Sequence, residues 1–592
     1  MTIALFPIGV DASAESSEIV ETSPGVLIDT SKYLPKKLPA PAILIAHGFG
    51  GSKDSVEAEA KFFASKGFVV LTWAARGFGE STGQIEMNSI NGEVADTRAL
   101  ISYLARSKDV IIDAQGDPRV GIMGSSYGGA NALLAASQDS RIDAVIADIT
   151  WSDLQQGFFP QSVERSQVSG PFKKVWVGTF FSAVSLQNAY LGECGSFSQQ
   201  WCDAYENAVL QGKPSQAEKD LLASVSPINY ASSITAPTLL SQGQADSLFP
   251  LSESSKTAQA IKKTNPNTPL SMIWHADGHD GANSQATYLR EQFLQWFKKY
   301  LLNEKLEFPV FQFTRTNGSI SLQDSSVIPK VFMSDKLPFE SKSQQLKLVT
   351  PTAAAIYPIG GVPGAISALP GIGSAGALAS QLLSSFAGFS PAFLPGQSGF
   401  LESAPLTEPI SVVGPSSIKV RITSTQPDAT LFFSLVVRSP SGGINLPNGI
   451  VAPVQISNIS TGGSDVVVNL PETILDASAG DVIAVGISST DQGYETPKTS
   501  RFYSVSPLSA LTFHTSVATA AQSSTANILW PLGAVASLFV AFVYVRIRRP
   551  KIAPIHENSV ALVEVDNLSK IYKDGHQAVS NLSFKVQRGQ VV

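Results

Sequence analysis

A serine flanked by glycines is the residue of this chain best suited to nucleophilic chemistry. Residues 124–128 read Gly-Ser-Ser-Tyr-Gly, with the apolar run Val-Gly-Ile-Met before them and an alanine-rich stretch after them. A sharp strand-to-helix turn needs glycines where the backbone crowds, and it raises one serine hydroxyl above the sheet at a helix N-terminus. The pattern therefore predicts a nucleophile elbow with Ser126 as the nucleophile.

A serine nucleophile needs a base, and histidine is scarce in this chain. Up to residue 302 the histidines are His47, His275 and His279. In α/β-hydrolases the order along the chain is serine, acid, histidine, which excludes His47. We predict His279 as the base because it follows Gly278 in a polar loop after the apolar run 270–274, and His275, at the end of that run, is the alternative.

The acid that orients the base is expected after the preceding strand. Residues 236–243 are predicted to form that strand, and Asp246 lies in the loop after it. We predict that its carboxylate fixes the imidazole tautomer and stabilises the imidazolium. Asp277 and Asp280, beside the histidine, are the alternatives.

An oxyanion site is expected from a loop early in the chain. The apolar run 42–46 leads into His-Gly-Phe-Gly-Gly at residues 47–51. Such sites pair the amide after the nucleophile with one from this loop, which predicts the amides of Phe49 and Tyr127 as donors. We expect His47 to shape the loop and Arg76, in the glycine-rich turn 76–83, to brace it.

These motifs together resemble a known family. The Arg-Gly-Phe-Gly-Glu-Ser-Thr-Gly turn at 76–83, the elbow at 124–129, Asp246 and Gly278-His279 resemble the X-prolyl dipeptidyl-peptidase and cocaine-esterase family of serine hydrolases. Residues 406–489 resemble the galactose-binding-like jelly roll at the C-terminus of that family. The resemblance covers about residues 41–503 and implies ester or amide hydrolysis through an acyl-enzyme.

The chain departs from the family pattern at two positions. Members with either activity commonly place a tyrosine hydroxyl in the oxyanion hole, where this chain has Phe49, and relatives often carry an aspartate where it has Ala74. Neither change removes the triad, so the choice between a peptide and an ester substrate stays open.

Composition predicts several domains and argues against a nucleic-acid partner. The chain has 592 residues, 43% of them hydrophobic and 15% charged, with a net charge of −6. Cys194 and Cys202 are the only cysteines, and they lack neighbouring histidines for a metal site. A local disulfide and two free thiols both remain open, and the hydrolase is expected to need no cofactor and no metal.

The aromatic-rich segment 151–230 is expected to form a helical cap over the nucleophile. Such a cap excludes water and shapes a substrate pocket. Trp151, Phe158 and Phe159 are the candidate pocket residues, and burial in the core of the cap is the alternative.

A membrane span is expected near the C-terminus. Residues 528–545 carry no charge, and Arg546, Arg548, Arg549 and Lys551 follow. The length and the basic flank predict a single transmembrane helix, with the hydrolase outside the cytoplasm and the C-terminus inside. Residues 12–14, Ala-Ser-Ala, have the form of a signal-peptidase site, so we interpret the N-terminus as the remnant of a signal peptide that starts upstream.

The last segment, 561–592, resembles the opening strands of an ABC-transporter ATP-binding domain. In that family an aromatic residue at the position of Tyr572 stacks on adenine. The chain contains no G-x-x-x-x-G-K-[ST] loop, so ATP and Mg²⁺ would bind only if the domain were complete. The segment suggests a fragment of a longer fusion, with a transporter permease as a possible partner.

The predicted fold class is α/β: an α/β-hydrolase with a helical cap, followed by a β-sandwich. The predicted function is a membrane-tethered serine hydrolase acting on a small ester, amide or peptide. The rival is a non-catalytic extracellular binding or sensor module of an ABC transporter. The expected organisation is an N-terminal segment 1–30, a catalytic domain 31–305, a sandwich 306–510 with a Gly/Ala/Pro-rich insertion 350–400 of surface-loop character, a linker 511–527, the helix 528–545 and the truncated domain 555–592.

Overall fold

The computed structural model describes most of the chain in two units. It describes residues 14–187, 192, 194–280, 284–315, 330–349, 365–368, 390–515, 563–572 and 576–586. The first unit extends to residue 521 and the second contains the remainder. Most of the predicted insertion 350–400 and the predicted membrane helix 528–545 lie outside the described residues.

Nine α-helices are described. They are α1 Glu57–Ser65, α2 Glu93–Leu104, α3 Tyr127–Gln138, α4 Leu154–Phe158, α5 Lys174–Gln187, α6 Gln199–Gln211, α7 Gln216–Ser224, α8 Ser252–Thr264 and α9 Ala286–Leu301. Short 3₁₀ turns occur at Lys53–Val56, Pro227–Ser233, Pro338–Glu340 and Pro447–Gly449.

The strands of the N-terminal part are β1 Ala14–Ser23, β2 Val26–Leu34, β3 Ala42–Ala46, β4 Val69–Trp73, β5 Ile112–Ala114, β6 Asp117–Pro118, β7 Val120–Ser125, β8 Ile142–Asp148, β9 Thr238–Gly243, β10 Leu270–His275, β11 Phe311–Arg315 and β12 Lys330–Ser334. Those that follow are β13 Lys342–Leu346, β14 Ser398–Glu402, β15 Ile410–Ser424, β16 Asp428–Arg438, β17 Ile444–Asn445, β18 Ala452–Ser457, β19 Ser464–Ala477, β20 Val482–Ser488, β21 Tyr503–Pro507, β22 Leu511–Thr515, β23 Val563–Ile571 and β24 Gln577–Val586.

A ten-stranded sheet forms the centre of the first unit, in the order β1-β2-β4-β3-β7-β8-β9-β10-β11-β12. The strands from β4 to β11 are parallel, whereas β1, β2 and β12 are antiparallel additions at the two edges. The central strands read as continuous apolar runs because helices cover both faces. Helices α2, α3 and α8 contribute to the core on one face, and α1 and α9 to the core on the other. This is the architecture of an α/β-hydrolase.

Two sheets pack face to face in the C-terminal part of the first unit. One has the order β13-β22-β15-β19, with β21 also paired to β15, and the other has the order β14-β20-β16-β17, with β18 also paired to β16. Inward-facing side chains of both sheets, among them Val420, Phe433 and Val485, form a single buried core. The result is the β-rich sandwich that the sequence predicts.

The structure moves three of the predicted domain boundaries. Residues 14–30 are not a separate segment, because β1 and β2 pair as a hairpin that joins the main sheet. Strands β11 and β12 belong to the hydrolase sheet instead of the sandwich, since α9 returns the chain to the edge of β10 and parallel pairing continues there. Strand β22 lies in the sandwich instead of a linker, paired with β13 and β15.

In the second unit the structure describes two strands, β23 and β24, which pair antiparallel.

Candidate active site

Ser126 lies at the turn between β7 and α3. Its backbone has φ 56° and ψ −119°, outside the regions that side chains with a Cβ usually adopt. A Cβ on Gly128 would lie 2.4 Å from the carbonyl oxygen of Ala46, so only glycine allows α3 to start against the end of β3. The turn therefore stores backbone strain and presents the serine side chain above the carboxyl edge of the sheet.

Ser126, His279 and Asp246 form one hydrogen-bonded chain. The hydroxyl of Ser126 lies 2.8 Å from Nε2 of His279, and Nδ1 of His279 lies 2.7 Å from Oδ2 of Asp246. The other oxygen of Asp246 accepts the amides of Leu248 and Phe249, at 3.1 and 2.7 Å. Asp246 is fully buried, and these amides fix its carboxylate. The three residues predicted from separate loops meet in the geometry of a catalytic triad.

The environment of His279 favours its protonated form. Burial by itself lowers the pKa of the imidazole, but the charge and hydrogen bond of Asp246, with smaller contributions from Asp280 and Asp148, raise it above 6.5. A base whose conjugate acid is stabilised in this way accepts a proton from serine more readily.

The alternative residues have other partners. Nε2 of His275 lies 3.3 Å from Asp148, whose second oxygen accepts a hydrogen bond from Ser125. Asp277 accepts the amides of Ser284 and Gln285, just before α9.

Asp280 accepts the amide of Ser247 at 2.5 Å, and burial raises its pKa to about 6. Neither Asp277 nor Asp280 takes the position of Asp246 on the imidazole.

The two residues predicted to supply oxyanion amides lie side by side. Tyr127 is the first residue of α3, where helix amides lack an intrahelical acceptor, and its ring meets that of Phe49 at 5.7 Å. His47 accepts the amide of Ala75 on Nε2 and contacts the carbonyl of Gly48 through Nδ1, which must therefore carry the proton. Burial lowers the pKa of His47 to about 4, so this neutral imidazole shapes the loop as expected.

The brace on Arg76 comes from α2. With Ala74 in place of an aspartate, the guanidinium forms two hydrogen bonds, at 2.7 and 2.8 Å, with the carboxylate of Asp96 on α2. The turn 76–83 is thereby attached to a helix instead of to its own preceding residues.

The aromatic residues predicted to line the pocket are instead core residues of the cap. Trp151, Phe158 and Phe159 are buried, Trp151 donates to the carbonyl of Val225, and Phe159 stacks on Phe172. They follow the end of β8 directly, where the cap needs apolar contacts to pack on the sheet.

The rings against the base are Trp176 on α5 and Phe249 after the acid. They meet the imidazole of His279 nearly edge-on, at 5.9 and 5.6 Å between centroids. Phe249 was detectable in the sequence as part of the acid loop. Trp176 carried no such signal, because it is one of three aromatic residues in the sequence of α5.

Trp176 also lines a cavity of about 410 Å³. Its lining includes Trp176, Ser247 and Lys173 from the hydrolase and cap, and Glu472 and Tyr494 from the sandwich. The buried ammonium of Lys173 donates to the carbonyls of Ser247 and Leu248, both at 2.8 Å, and so supports the loop that carries Asp246. Burial lowers the pKa of Lys173 to about 8.

A disulfide joins Cys194 to Cys202, which lies in the first turn of α6. No cluster of three or more histidine, cysteine, aspartate or glutamate side chains suited to a metal is found in the described parts of the chain. The triad supplies nucleophile, base and orienting carboxylate from the chain itself, so hydrolysis needs no cofactor.

The predicted membrane span and the predicted adenine-stacking residue Tyr572 both belong to the C-terminal region. No helix within the described ranges is both long and apolar enough to cross a bilayer. Tyr572 follows β23, is half exposed, and has the ammonium of Lys570 over its ring at 5.8 Å.

Comparison with known proteins agrees with this geometry. Residues 24–280 match the model for X-Pro dipeptidyl-peptidase (S15 family), and residues 395–524 match that for the X-Pro dipeptidyl-peptidase C-terminal non-catalytic domain. Both matched regions are similar to domains of the family that the motifs indicate.

Curated relatives match over a short region of the chain. The quorum-quenching protein AidA of Acinetobacter baumannii (strain MDR-ZJ06) is 38% identical over 120 residues, 20% of this chain. An uncharacterized 31.7 kDa protein in the traX-finO intergenic region of Escherichia coli is 32% identical over 114 residues, 19% of this chain. The chain spans 38% of the length of each of these relatives.

Solved structures share the fold of this chain at low identity. An α-amino acid ester hydrolase has a TM-score of 0.63 and an aminopeptidase from a marine sediment archaeon, Thaumarchaeota archaeon, one of 0.60; both are 13% identical, and the match covers 87% of this chain and 98% of theirs. A CocE/NonD family hydrolase from Staphylococcus aureus, also 13% identical, has a TM-score of 0.58, with coverage of 84% and 92%. These similarities extend through both the hydrolase and the sandwich.

Proposed function

We propose that this chain is a serine hydrolase that cleaves an ester or amide through an acyl-enzyme formed on Ser126. The observation that carries the proposal is the continuous hydrogen-bonded chain from Ser126 through His279 to Asp246. Ser126 attacks the substrate carbonyl as its hydroxyl proton moves to Nε2 of His279, and Asp246 stabilises the imidazolium through Nδ1. The amides of Phe49 and Tyr127 stabilise the tetrahedral oxyanion.

The remaining steps return the enzyme to its starting state. His279 donates its proton to the leaving alkoxide or amine as the tetrahedral intermediate collapses to the acyl-enzyme. A water molecule then attacks the ester carbonyl while His279 takes one of its protons. Collapse of the second intermediate releases the acid and returns the proton to Ser126.

The test compares two substrate classes. The chain and its Ser126→Ala variant are assayed with Xaa-Pro-aminocoumarin amides and with short-chain nitrophenyl esters. Serine-dependent cleavage of the prolyl amide supports a dipeptidyl-peptidase, and ester turnover alone supports an esterase, consistent with Phe49 in place of a tyrosine hydroxyl donor. Labelling by a fluorophosphonate in the wild type and not in Ser126→Ala supports the nucleophile in either case.

The rival function is ligand capture without catalysis by an extracellular sensor module. The intact triad argues against it. A folded wild type that neither labels with fluorophosphonate nor turns over either substrate class would favour the sensor.

We further propose that the hydrolase is tethered to the cell membrane on its extracytoplasmic side. The apolar run 528–545 and the basic residues after it support a single span with this orientation. The Cys194–Cys202 disulfide is consistent with an oxidising compartment. Protease added to intact cells or spheroplasts should remove the hydrolase from the membrane fraction, and a hydrolase that stays protected would overturn the proposal.

We also propose that the segment from residue 561 begins an ATP-binding domain of a longer transporter fusion. The resemblance of that segment and its antiparallel strands β23 and β24 support it. An antibody against the hydrolase should detect a native product much longer than 592 residues. A native product of this length would refute the fusion.

A further inference from the structure

A buried carboxylate on α2 contacts the residue after the nucleophile. Oε1 of Glu93 accepts the hydroxyl of Tyr127 at 2.9 Å and the amide of Glu86 at 2.7 Å, and Oε2 accepts the amide of Ser89 at 3.1 Å. Glu93 is 1% exposed and Tyr127 2%. A carboxylate is expensive to bury, and three directed hydrogen bonds are what make this burial tolerable.

A second anchor holds the backbone of Tyr127. Nδ2 of Asn88 donates to the Tyr127 carbonyl at 2.8 Å, and Oδ1 of Asn88 accepts from Asn131 at 3.0 Å. Thr97 on α2 donates to Oδ1 of Asn131 at 2.8 Å, which completes the connection between α2 and α3. Asn88 is fully buried and has a left-handed backbone conformation, with φ 69°. Hydrogen bonds that involve both the amide nitrogen and the amide oxygen of its side chain hold it there.

The ring of Tyr127 connects these anchors to the other oxyanion loop. It meets Phe49 and Phe78 edge-on, both at 5.7 Å, and lies 6.4 Å from His47 in a stacked arrangement. Displacement of the ring would therefore shift both predicted oxyanion amides, which must be placed to a fraction of an ångström to stabilise the tetrahedral charge.

We propose that Glu93 is a positioning residue for the oxyanion site: it holds the hydroxyl of Tyr127 and thereby fixes the amides of Tyr127 and Phe49 toward the reacting carbonyl. Glu93 does not touch the substrate in this role. The inference rests on the proposed function, since it concerns the donors for the same acyl transfer.

The surroundings of Glu93 act on its pKa in opposite directions. Burial raises the pKa of the carboxyl to about 7, while the hydrogen bonds from Glu86, Tyr127 and its own backbone and the charge of Arg76 oppose the rise. The same burial, together with the charge of Glu93, raises the pKa of the Tyr127 hydroxyl well above its usual range, so the phenol remains the donor.

The test separates binding from transition-state stabilisation. Wild type, Tyr127→Phe, Glu93→Gln and the double variant are compared by kcat and KM on a nitrophenyl ester. The inhibition constant of an aryl trifluoromethyl ketone, which forms a tetrahedral adduct with Ser126, is measured alongside.

We expect Tyr127→Phe to lower kcat and the affinity for the ketone by about tenfold each, with KM almost unchanged. This is smaller than the roughly 10²–10³-fold loss of kcat that follows removal of a whole oxyanion donor, because the amide is displaced and not removed. The double variant should be no worse than the worse single variant, because both remove the same hydrogen bond.

Tyr103→Phe is the matched control. Tyr103 also lies on α2 and donates to a glutamate, Glu18, but at the opposite end of the helix and near solvent. This control should keep wild-type kcat and ketone affinity. If Glu93→Gln does not fold, the kcat, KM and ketone affinity of Tyr127→Phe alone test the positioning role.

The possible failures are distinguishable. A folded Tyr127→Phe with unchanged kcat and unchanged ketone affinity would overturn the positioning role while wild-type turnover upholds the proposed function. A variant whose KM rises at constant kcat would also overturn it, because that pattern reports ground-state binding. A wild type that neither turns over substrate nor labels at Ser126 would overturn the proposed function, and this inference with it.

Discussion

At the scale of single residues, the protonation state of His279 controls the proposed chemistry. Burial by itself disfavours the imidazolium, and the carboxylate of Asp246 reverses that preference. The base acts only when neutral, so activity must rise with pH through the pKa of His279 and fall below it. Because that pKa is raised, the acid limb of kcat/KM should lie above 6.5, the usual value for histidine.

Asp246→Asn should change both the rate and the position of that limb. Loss of the carboxylate removes the main influence that raises the pKa of His279, so the acid limb should move to lower pH. Loss of the correct tautomer should also lower kcat, by about 10⁴-fold in comparable triads. The measurement is a pH profile of kcat/KM for ester hydrolysis.

Asp277→Asn is the informative control, because the sequence alone left Asp277 open as the acid. It caps residues before α9, so its loss should cost stability and leave the acid limb in place. A displaced limb in Asp277→Asn and a normal one in Asp246→Asn would contradict the assignment of the acid.

At the scale of elements, the close approach of α3 to β3 positions the nucleophile. The helix begins where Gly128 lies against the end of β3, and the elbow depends on this contact. Helix α3 is lined with small residues and is almost entirely buried, so it has little freedom to move outward.

Gly128→Ala should therefore destabilise the hydrolase. Its Cβ would lie 2.4 Å from a backbone carbonyl oxygen that cannot rotate away, and overpacking of this kind costs about 1–3 kcal/mol or more. Thermal unfolding and the rate of fluorophosphonate labelling should both report the displacement of the elbow.

Gly178→Ala supplies the comparison for that variant. Gly178 lies inside α5, where an added Cβ would meet nothing closer than the hydroxyl of Tyr205 at 3.7 Å. The helix propensity of alanine should raise stability by up to about 1 kcal/mol. Equal loss of stability in both variants would argue against the close contact at Gly128.

At the scale of the whole molecule, polar contacts connect the hydrolase sheet to the sandwich. The guanidinium of Arg315, at the end of β11, is 1% exposed; it pairs with Asp476 at 2.7 Å and donates to Ser411 at 2.9 Å. Its planar face also lies 4.8 Å from the ring centroid of Phe332 on β12. One side chain thus joins two strands of the hydrolase to two strands of the sandwich.

Arg315→Met should lower the free energy of unfolding by about 1–3 kcal/mol, because partners in the interface lose a buried donor. Arg421→Met is the matched variant, since Arg421 forms a similar pair with Asp465 within the sandwich where both side chains are exposed. Because solvent screens that exposed pair, its loss should change the free energy of unfolding far less than the loss of the Arg315 contact. Denaturant unfolding followed by tryptophan fluorescence measures both, and equal effects would show that the interface contact adds no stability.

Sequence determined the chemistry of this protein because its signals are local. Each motif depends on a few adjacent residues and can be recognised by itself. This holds for the elbow, for the order of serine, acid and histidine, and for the glycine-rich turn. The same locality explains why residues 14–30, β11 and β22 were assigned to the wrong parts of the chain. The sheet that a strand joins depends on pairing partners that are distant in the sequence, and the strand's own residues do not identify those partners.

Only the tertiary structure decided which residues surround the triad. Trp176 rather than Trp151 meets His279, Asp96 pairs with Arg76, and Glu93 accepts the hydroxyl of Tyr127. Each contact joins side chains 20 or more residues apart. Many other aromatic or acidic residues in the chain could, by residue type alone, make the same contacts. Packing selects among them by shape and by the satisfaction of buried polar groups, which depend on the whole fold.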